Sequence, residues 1–266
     1  MTWQLRDEDL RFILETVAPH VDPDSVGEVS EAWLEEVLEN DELFERLVGE
    51  SQLLMQVSPW FFFNLLLRRS RRDLTTETFT TERRARQKVV IFDTEQVVEL
   101  LETEPILEYL ASMLASFTRV ASVTVRVNVG RGVWRRYRTN DFDVEGLIRY
   151  AEAVDEAYRF EPYKRIGDVC LFLAGMFPEY IDAQYRYAVS HQIRPAMKGR
   201  LLQSREDYEQ YGRAFYELAA EHERAEVGEL DEVLATLSER FLLAEKPLAF
   251  VANRYLWSSR HQLFGL

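Results

Sequence analysis

The sequence predicts a mainly α-helical protein with one small β-hairpin in the middle. Three observations lead there. Apolar residues recur at helical spacing over most of the chain, as Leu10, Ile13, Leu14 and Val17 do within Asp7–Val17. One stretch alternates instead, with Val123, Val125, Val127 and Val129 interleaved with Thr124, Arg126 and Asn128, the pattern of a half-buried strand. The composition is that of a chain with a full core: 47% of 266 residues are hydrophobic, enough for one large domain or two small ones.

Taken in order, Asp7–Val17 is the first helix and His20–Pro23 breaks it. Ser30–Val48 continues the helical pattern through Trp33, Leu34, Val37, Leu38, Leu43, Phe44 and Leu47. Ser58-Pro59 has the cap and first-turn proline of a helix start. The helix Pro59–Arg72 runs through WFFFNLLL and ends in RRSRR, where Arg68, Arg69, Arg71 and Arg72 suit the negative end of its own dipole. Leu74–Thr81 is threonine-rich and reads as a linker or a short exposed strand, and Val89–Phe92 as a short buried strand. Asp93–Gln96 has capping-box spacing and opens a helix through Leu101. Pro105–Phe117 is the next helix, with Ile106, Leu107, Leu110, Met113, Leu114 and Phe117 on one face.

The hairpin follows, with Gly130-Arg131-Gly132 as its turn and Val133–Thr139 as its second strand. A three-residue loop sets Val129 against Val133 and Arg126 across from Arg136. The outer face then carries Arg126, Arg136 and Arg138 with Trp134 among them. From Asp143 onward the pattern is helical again. Gly167-Asp168 reads as the cap of a compact apolar helix stopped by Pro178, in which Gly175 permits close packing. Glu206–Arg224 is amphipathic, with Tyr208, Tyr211, Phe215, Leu218 and His222 on one stripe, and Asp231–Leu243 and Pro247–Trp257 complete the set. The expected regions are 1–81, helical; 82–142, containing the basic hairpin; and 143–266, helical, the three forming either separate units or one continuous domain.

Charge carries the functional signal. The formal net charge is −14, yet residues 119–138 hold six arginines and no acid. Such a patch is either paired with the chain's own carboxylates or kept for an anionic partner. Of the 32 basic residues only four are lysine (Lys88, Lys164, Lys198 and Lys246), which suits either a highly hydrated surface or an arginine-rich codon usage. A single cysteine, Cys170, excludes an intrachain disulfide. The opening MTWQLRDEDLRF carries charges where a signal peptide has its apolar region. The longest apolar run, Val169–Phe177, is about half of the ~20 residues a membrane-spanning helix needs. The expectation is a soluble, cytoplasmic protein.

The order of elements over residues 82–139 (a short helix or strand, a strand, helix, tight turn, helix, two-stranded hairpin) resembles a winged helix. The resemblance implies DNA binding, with 94–101 as the second helix, 105–117 as the recognition helix and 120–139 as the wing. It assigns phosphate contacts to Arg126, Arg131, Arg135, Arg136 and Arg138 with Trp134, and Arg83, Arg84 and Arg86 would extend the same basic surface. The recognition helix departs from the pattern, since PILEYLASMLASF has no cation and includes Glu108.

Motifs for chemistry are missing. There is no GxxxxGK[ST], no GxGxxG, no HExxH, no CxxC and no GxSxG. Glu217, Glu221, His222 and Glu223 lack the Glu-x-x-His spacing of a di-iron site, because residue 219 is alanine. Cys170 sits in an apolar string and is inert, and His191 near Arg194 is the one histidine kept as a catalytic or ligand candidate. No cofactor, metal or catalytic set is expected. The first functional reading is a nucleic-acid-binding or regulatory protein. The second is a helical scaffold whose aromatic surfaces, Trp60–Phe63 and Tyr255–Trp257, bind a protein partner or a second copy. The third is an enzyme without a recognisable motif, or a binder of a small anionic ligand.

Overall fold

A computed structural model describes residues 5–21, 30–49, 56–77, 80–84, 87–91, 93–118, 123–128, 134–139, 142–181 and 204–265. In chain order its elements are α1 (Asp7–Val17), α2 (Glu31–Leu38), α3 (Asp41–Gly49), α4 (Pro59–Thr76), β1 (Thr80–Arg84), β2 (Gln87–Ile91), α5 (Thr94–Glu102), α6 (Glu104–Phe117), β3 (Val123–Asn128), β4 (Trp134–Thr139) and α7 (Val144–Ala153). A 3-10 turn (Glu156–Tyr158) then leads to α8 (Phe160–Met176), α9 (Arg205–Ala220), α10 (Glu223–Val227), α11 (Asp231–Glu239), α12 (Phe241–Arg254) and α13 (Arg260–Phe264). The chain divides into two compact units, Met1–Thr118 with Asn253–Leu266, and Arg119–Ala252. The expected boundary at 81/82 falls inside the first unit, and the one at 142/143 inside the second.

In the first unit α4 is the central helix. Phe61, Phe63, Leu65, Leu66 and Leu67 are all buried, so the helix is apolar nearly all round, as a helix enclosed by others must be. It begins where Ser58 Oγ accepts from the Phe61 amide at 3.2 Å, with Pro59 in the first turn. Asp9 of α1 fixes that start. Its carboxylate accepts from the Ser58 amide at 2.6 Å and from the Arg6 amide at 2.9 Å. Burial pushes the Asp9 carboxyl up, and those two hydrogen bonds oppose the shift. The buried faces of α5 and α6 pack on α4 through Val97, Leu100, Leu107, Leu110 and Leu114. The C-terminal segment belongs to this unit, with the Phe264 ring stacked on Phe63 at 5.6 Å.

The second unit is built around α8, which is buried from Ile166 to Met176. It packs on α9 and α7, and α9 packs in turn on α11. Glycines set the approach of these helices. A Cβ on Gly167 would meet the Tyr216 ring at 2.6 Å, one on Gly212 the Phe241 ring at 2.4 Å, and one on Gly175 the Cβ of Leu248 at 2.7 Å.

The mainly helical expectation is met, and its β part is corrected. The described cores of both units are assembled from helices. The extended backbone forms two separate two-stranded ladders, β1–β2 and β3–β4, in place of one hairpin in the middle of the chain. The physical reason is local: the β-branched threonines before Arg83 supply a partner strand for Val89–Ile91 close at hand in sequence.

Four helix assignments also change. Ser30–Val48 is two helices, parted at Asn40, whose Oδ1 accepts from the Glu42 amide at 2.8 Å. Gly167-Asp168 lies inside α8, not at its start, and Pro247 lies inside α12. The amphipathic Glu206–Arg224 ends at Ala220, and His222 caps a new short helix. Trp60–Phe63, expected as an interaction surface, is buried. Trp257 is exposed at 69%.

Candidate functional site

The four arginines of RRSRR lie within α4, which continues to Thr76, so their own helix end is not what they serve. Arg68 is 3% exposed. Its Nε donates to Asn64 Oδ1 at 2.8 Å, one Nη to Glu39 at 3.3 Å and the other to Glu104. Arg71 donates to the Leu101 carbonyl at 3.3 Å and to Glu39. Arg72 donates to the Glu39 carbonyl at 2.8 Å and to Asp41 at 3.0 Å. Arg69 pairs with Asp41 and, at 2.9 Å, with Asp73, while its guanidinium lies 4.8 Å from the Phe44 ring centroid.

These arginines therefore brace two helix–helix turns, α2–α3 and α5–α6. The carbonyls of Glu39 and Leu101 sit at the C-terminal ends of α2 and α5, where no intrahelical donor is left for them, so the positive charges oppose the dipoles of those helices instead of their own. Four guanidiniums meet four carboxylates, Glu39, Asp41, Asp73 and Glu104. Asp73 also accepts from the Tyr255 hydroxyl at 2.9 Å, and burial with that bond pushes the phenol well up. This cluster is internally neutralised and has a structural role.

Hydrogen bonding from Arg72, helped by the charges of Arg72 and Arg69, holds the Asp41 carboxyl below its usual range. A depressed carboxylate stabilises the fold above its unfolded value of 3.8 and loses that contribution as pH falls through the lower folded value. Asp41→Asn is thus expected to be less stable than the parent at pH ~6. The gap should begin to narrow below pH ~3.8 and close only once pH has fallen past the depressed folded value, where both proteins carry a neutral side chain. Urea midpoints across that span check it.

In the second unit the buried polar groups are likewise paired. Asp168, expected either as a cap or as a partner of Lys164 or Arg165, pairs with Lys164, accepting from its Nζ at 2.9 Å and from the Tyr216 hydroxyl at 3.0 Å inside the α8–α9 contact. Arg205 of α9 donates to Glu209 at 3.1 Å and to the buried Glu245 of α12. Cys170 is fully buried, and desolvation, reinforced by Glu245, pushes its thiol far above the range in which it ionises. Among the described residues no group of three or more His, Cys, Asp or Glu side chains is placed to hold a metal ion. No helix of the described residues is long and apolar enough to cross a membrane.

The basic residues proposed from sequence divide into three groups. Arg126, Trp134, Arg135, Arg136 and Arg138 lie on the β3–β4 ladder. There Arg126 is registered with Arg136, Thr124 with Arg138, Val127 with Arg135 and Asn128 with Trp134. Arg83 and Arg84 lie on β1, registered with Lys88 and Gln87. Arg131 and Arg86, like His191 and Arg194, lie outside the described residues. The β1–β2 ladder belongs to the first unit and the β3–β4 ladder to the second. The residues that sequence reasoning missed are the partners of the α4 arginines, because Glu39 and Asp41 come from about thirty residues upstream and Glu104 from as far downstream. A run of arginines inside an apolar helix with only Asp73 one turn away was the available signal.

Compared with known proteins, the chain has no match among family models, curated proteins or solved structures.

Proposed function

We propose that the protein binds the phosphate backbone of nucleic acid through its arginine-rich segment 119–138. The observation that supports this reading is the register of the β3–β4 ladder, which sets Arg126 directly across from Arg136 in two strands that contain no Asp or Glu. Like charges directly opposed destabilise a ladder, and a phosphate oxygen shared by both guanidiniums reverses that term. Arginine is suited to the contact because its planar fork binds phosphate in two places.

Binding of this kind is electrostatic and falls with salt, with a slope of about −0.9 in log–log form per phosphate contacted on duplex DNA. The test is a salt-titrated affinity measurement on random duplex and single-stranded DNA. Arg136→Glu is expected to weaken binding at ~50 mM salt at least tenfold and to flatten the slope by about one. Retention unchanged by that substitution defeats the reading.

A further inference from the structure

His222 has both ring nitrogens committed. It sits between α9 and α10, as the N-cap of α10. Its Nδ1 accepts from the Arg224 amide at 3.2 Å, and its Nε2 lies 3.0 Å from the Glu156 carbonyl oxygen in the 3-10 turn. A carbonyl only accepts and a backbone amide only donates, so the partners fix the ring as neutral imidazole with the proton on Nε2. The ring also lies against Phe160, 5.8 Å between centroids at 49°.

From this geometry we infer that His222 is a pH-operated latch joining the 3-10 turn and the start of α8 to α10. The inference is independent of the nucleic-acid reading. Protonation puts a second N–H on Nδ1, pointing at the Arg224 N–H. An acceptor at the cap becomes a donor facing a donor, and a positive ring faces the positive end of a helix. The Nε2–H···O=C bond to Glu156 survives protonation, so the failure is specific to the α10 side.

The charged groups around the ring are unevenly matched. The turn and α8 bring Glu156 and Glu161, the end of α9 brings Glu221, and α10 brings Glu223, Arg224 and Glu226. Of the cations, Arg159 at the start of α8 donates its Nε to the Val154 carbonyl at 3.1 Å, and Arg224 is half exposed, lies 3.9 Å from Glu161 and covers Phe160 at 5.8 Å. None of these carboxylates replaces the lost cap, because the Arg224 amide needs an acceptor at the His222 position. The ring must then swing out. That movement uncovers Phe160 and frees α10, whose Ala225 is fully buried in the latched state.

The test uses the full chain and the amides of residues 224–230, compared by hydrogen-exchange protection factors at pH ~8 and ~5, the span over which imidazole changes charge. Loss of one cap predicts a fall in protection of about fivefold at the lower pH. His222→Asn keeps a capping acceptor that does not titrate, and its protection is expected to be the same at both values. Imidazole nitrogen shifts give a second readout that needs no variant: at pH ~8 the ring should carry its proton on Nε2. Equal protection of the parent at both pH values overturns the latch. So does an equal fall in His222→Asn, or a proton on Nδ1 at the higher pH.

Discussion

Replacing Arg68 with alanine is expected to lower the stability of the first unit by about 3 kcal/mol, towards the lower end of the range for breaking a buried ion pair. The guanidinium is 3% exposed and reaches three partners from three directions, Asn64, Glu39 and Glu104. Its removal leaves Asn64 buried with an unmet acceptor and takes the brace from both the α2–α3 and α5–α6 turns. Glu39 and Glu104 keep about a quarter to a third of their side chains in water, so they recover part of their hydration, which limits the loss. Arg68→Lys keeps the charge and loses the fork, so it should recover less than half of the difference. Arg72→Ala is the contrast. Arg72 is 44% exposed and its pair with Asp41 is open to solvent, so its loss should be well under half that of Arg68. Hydrogen exchange of α4–α6 amides, read against denaturant, separates this unit from the other. A cost for Arg68→Ala no larger than for Arg72→Ala would mean that the cluster does not brace the helices.

The same cluster shows where sequence reading succeeds and where it stops. Helices declared by spacing alone are legible: α1 coincides with its expected span, and α6 begins one residue before it. The close approach at Gly175 was also readable, because a glycine inside an apolar helix has few other uses. What local pattern does not reveal is whether a helix continues through a cap-like signal. Gly167-Asp168 looks like a start because serine, threonine, asparagine and aspartate favour that place. Tyr216, forty-eight residues later, supplies the hydroxyl that lets Asp168 stay inside α8 instead. The arginines of α4 follow the same logic, since their role depends on acids brought in by folding. His222 failed in the opposite way: it fits the apolar stripe of α9, but the helix ends before reaching it. For the basic segment 119–138, the excess of charge is plain in the sequence.

Gly175→Ala is expected to destabilise the second unit by about 2 kcal/mol, even though alanine is the better helix former. The new Cβ would lie 2.7 Å from the Cβ of Leu248 and 3.2 Å from the Glu245 carbonyl oxygen. Carbon atoms in good contact stand about 3.5–4.0 Å apart, so about 1 Å must be found. Leu248 Cβ is one bond from the backbone of α12 and cannot turn aside, and both residues lie in a fully packed interior. The helices α8 and α12 have to separate, at an overpacking cost of up to about 3 kcal/mol, against which the propensity gain of alanine offsets about 1 kcal/mol. Gly212→Ala meets the fully buried Phe241 ring at 2.4 Å and Cys170 Cβ at 3.0 Å, and should cost at least as much. Gly49, at the end of α3, has nothing within 4 Å of the added methyl. There the propensity term acts alone and Gly49→Ala should be neutral or stabilising. Thermal or urea unfolding of the three variants gives the order directly. If Gly175→Ala proved as stable as the parent, the close contact of α8 with α12 would be wrong, and with it the placement of Glu245 that receives Arg205.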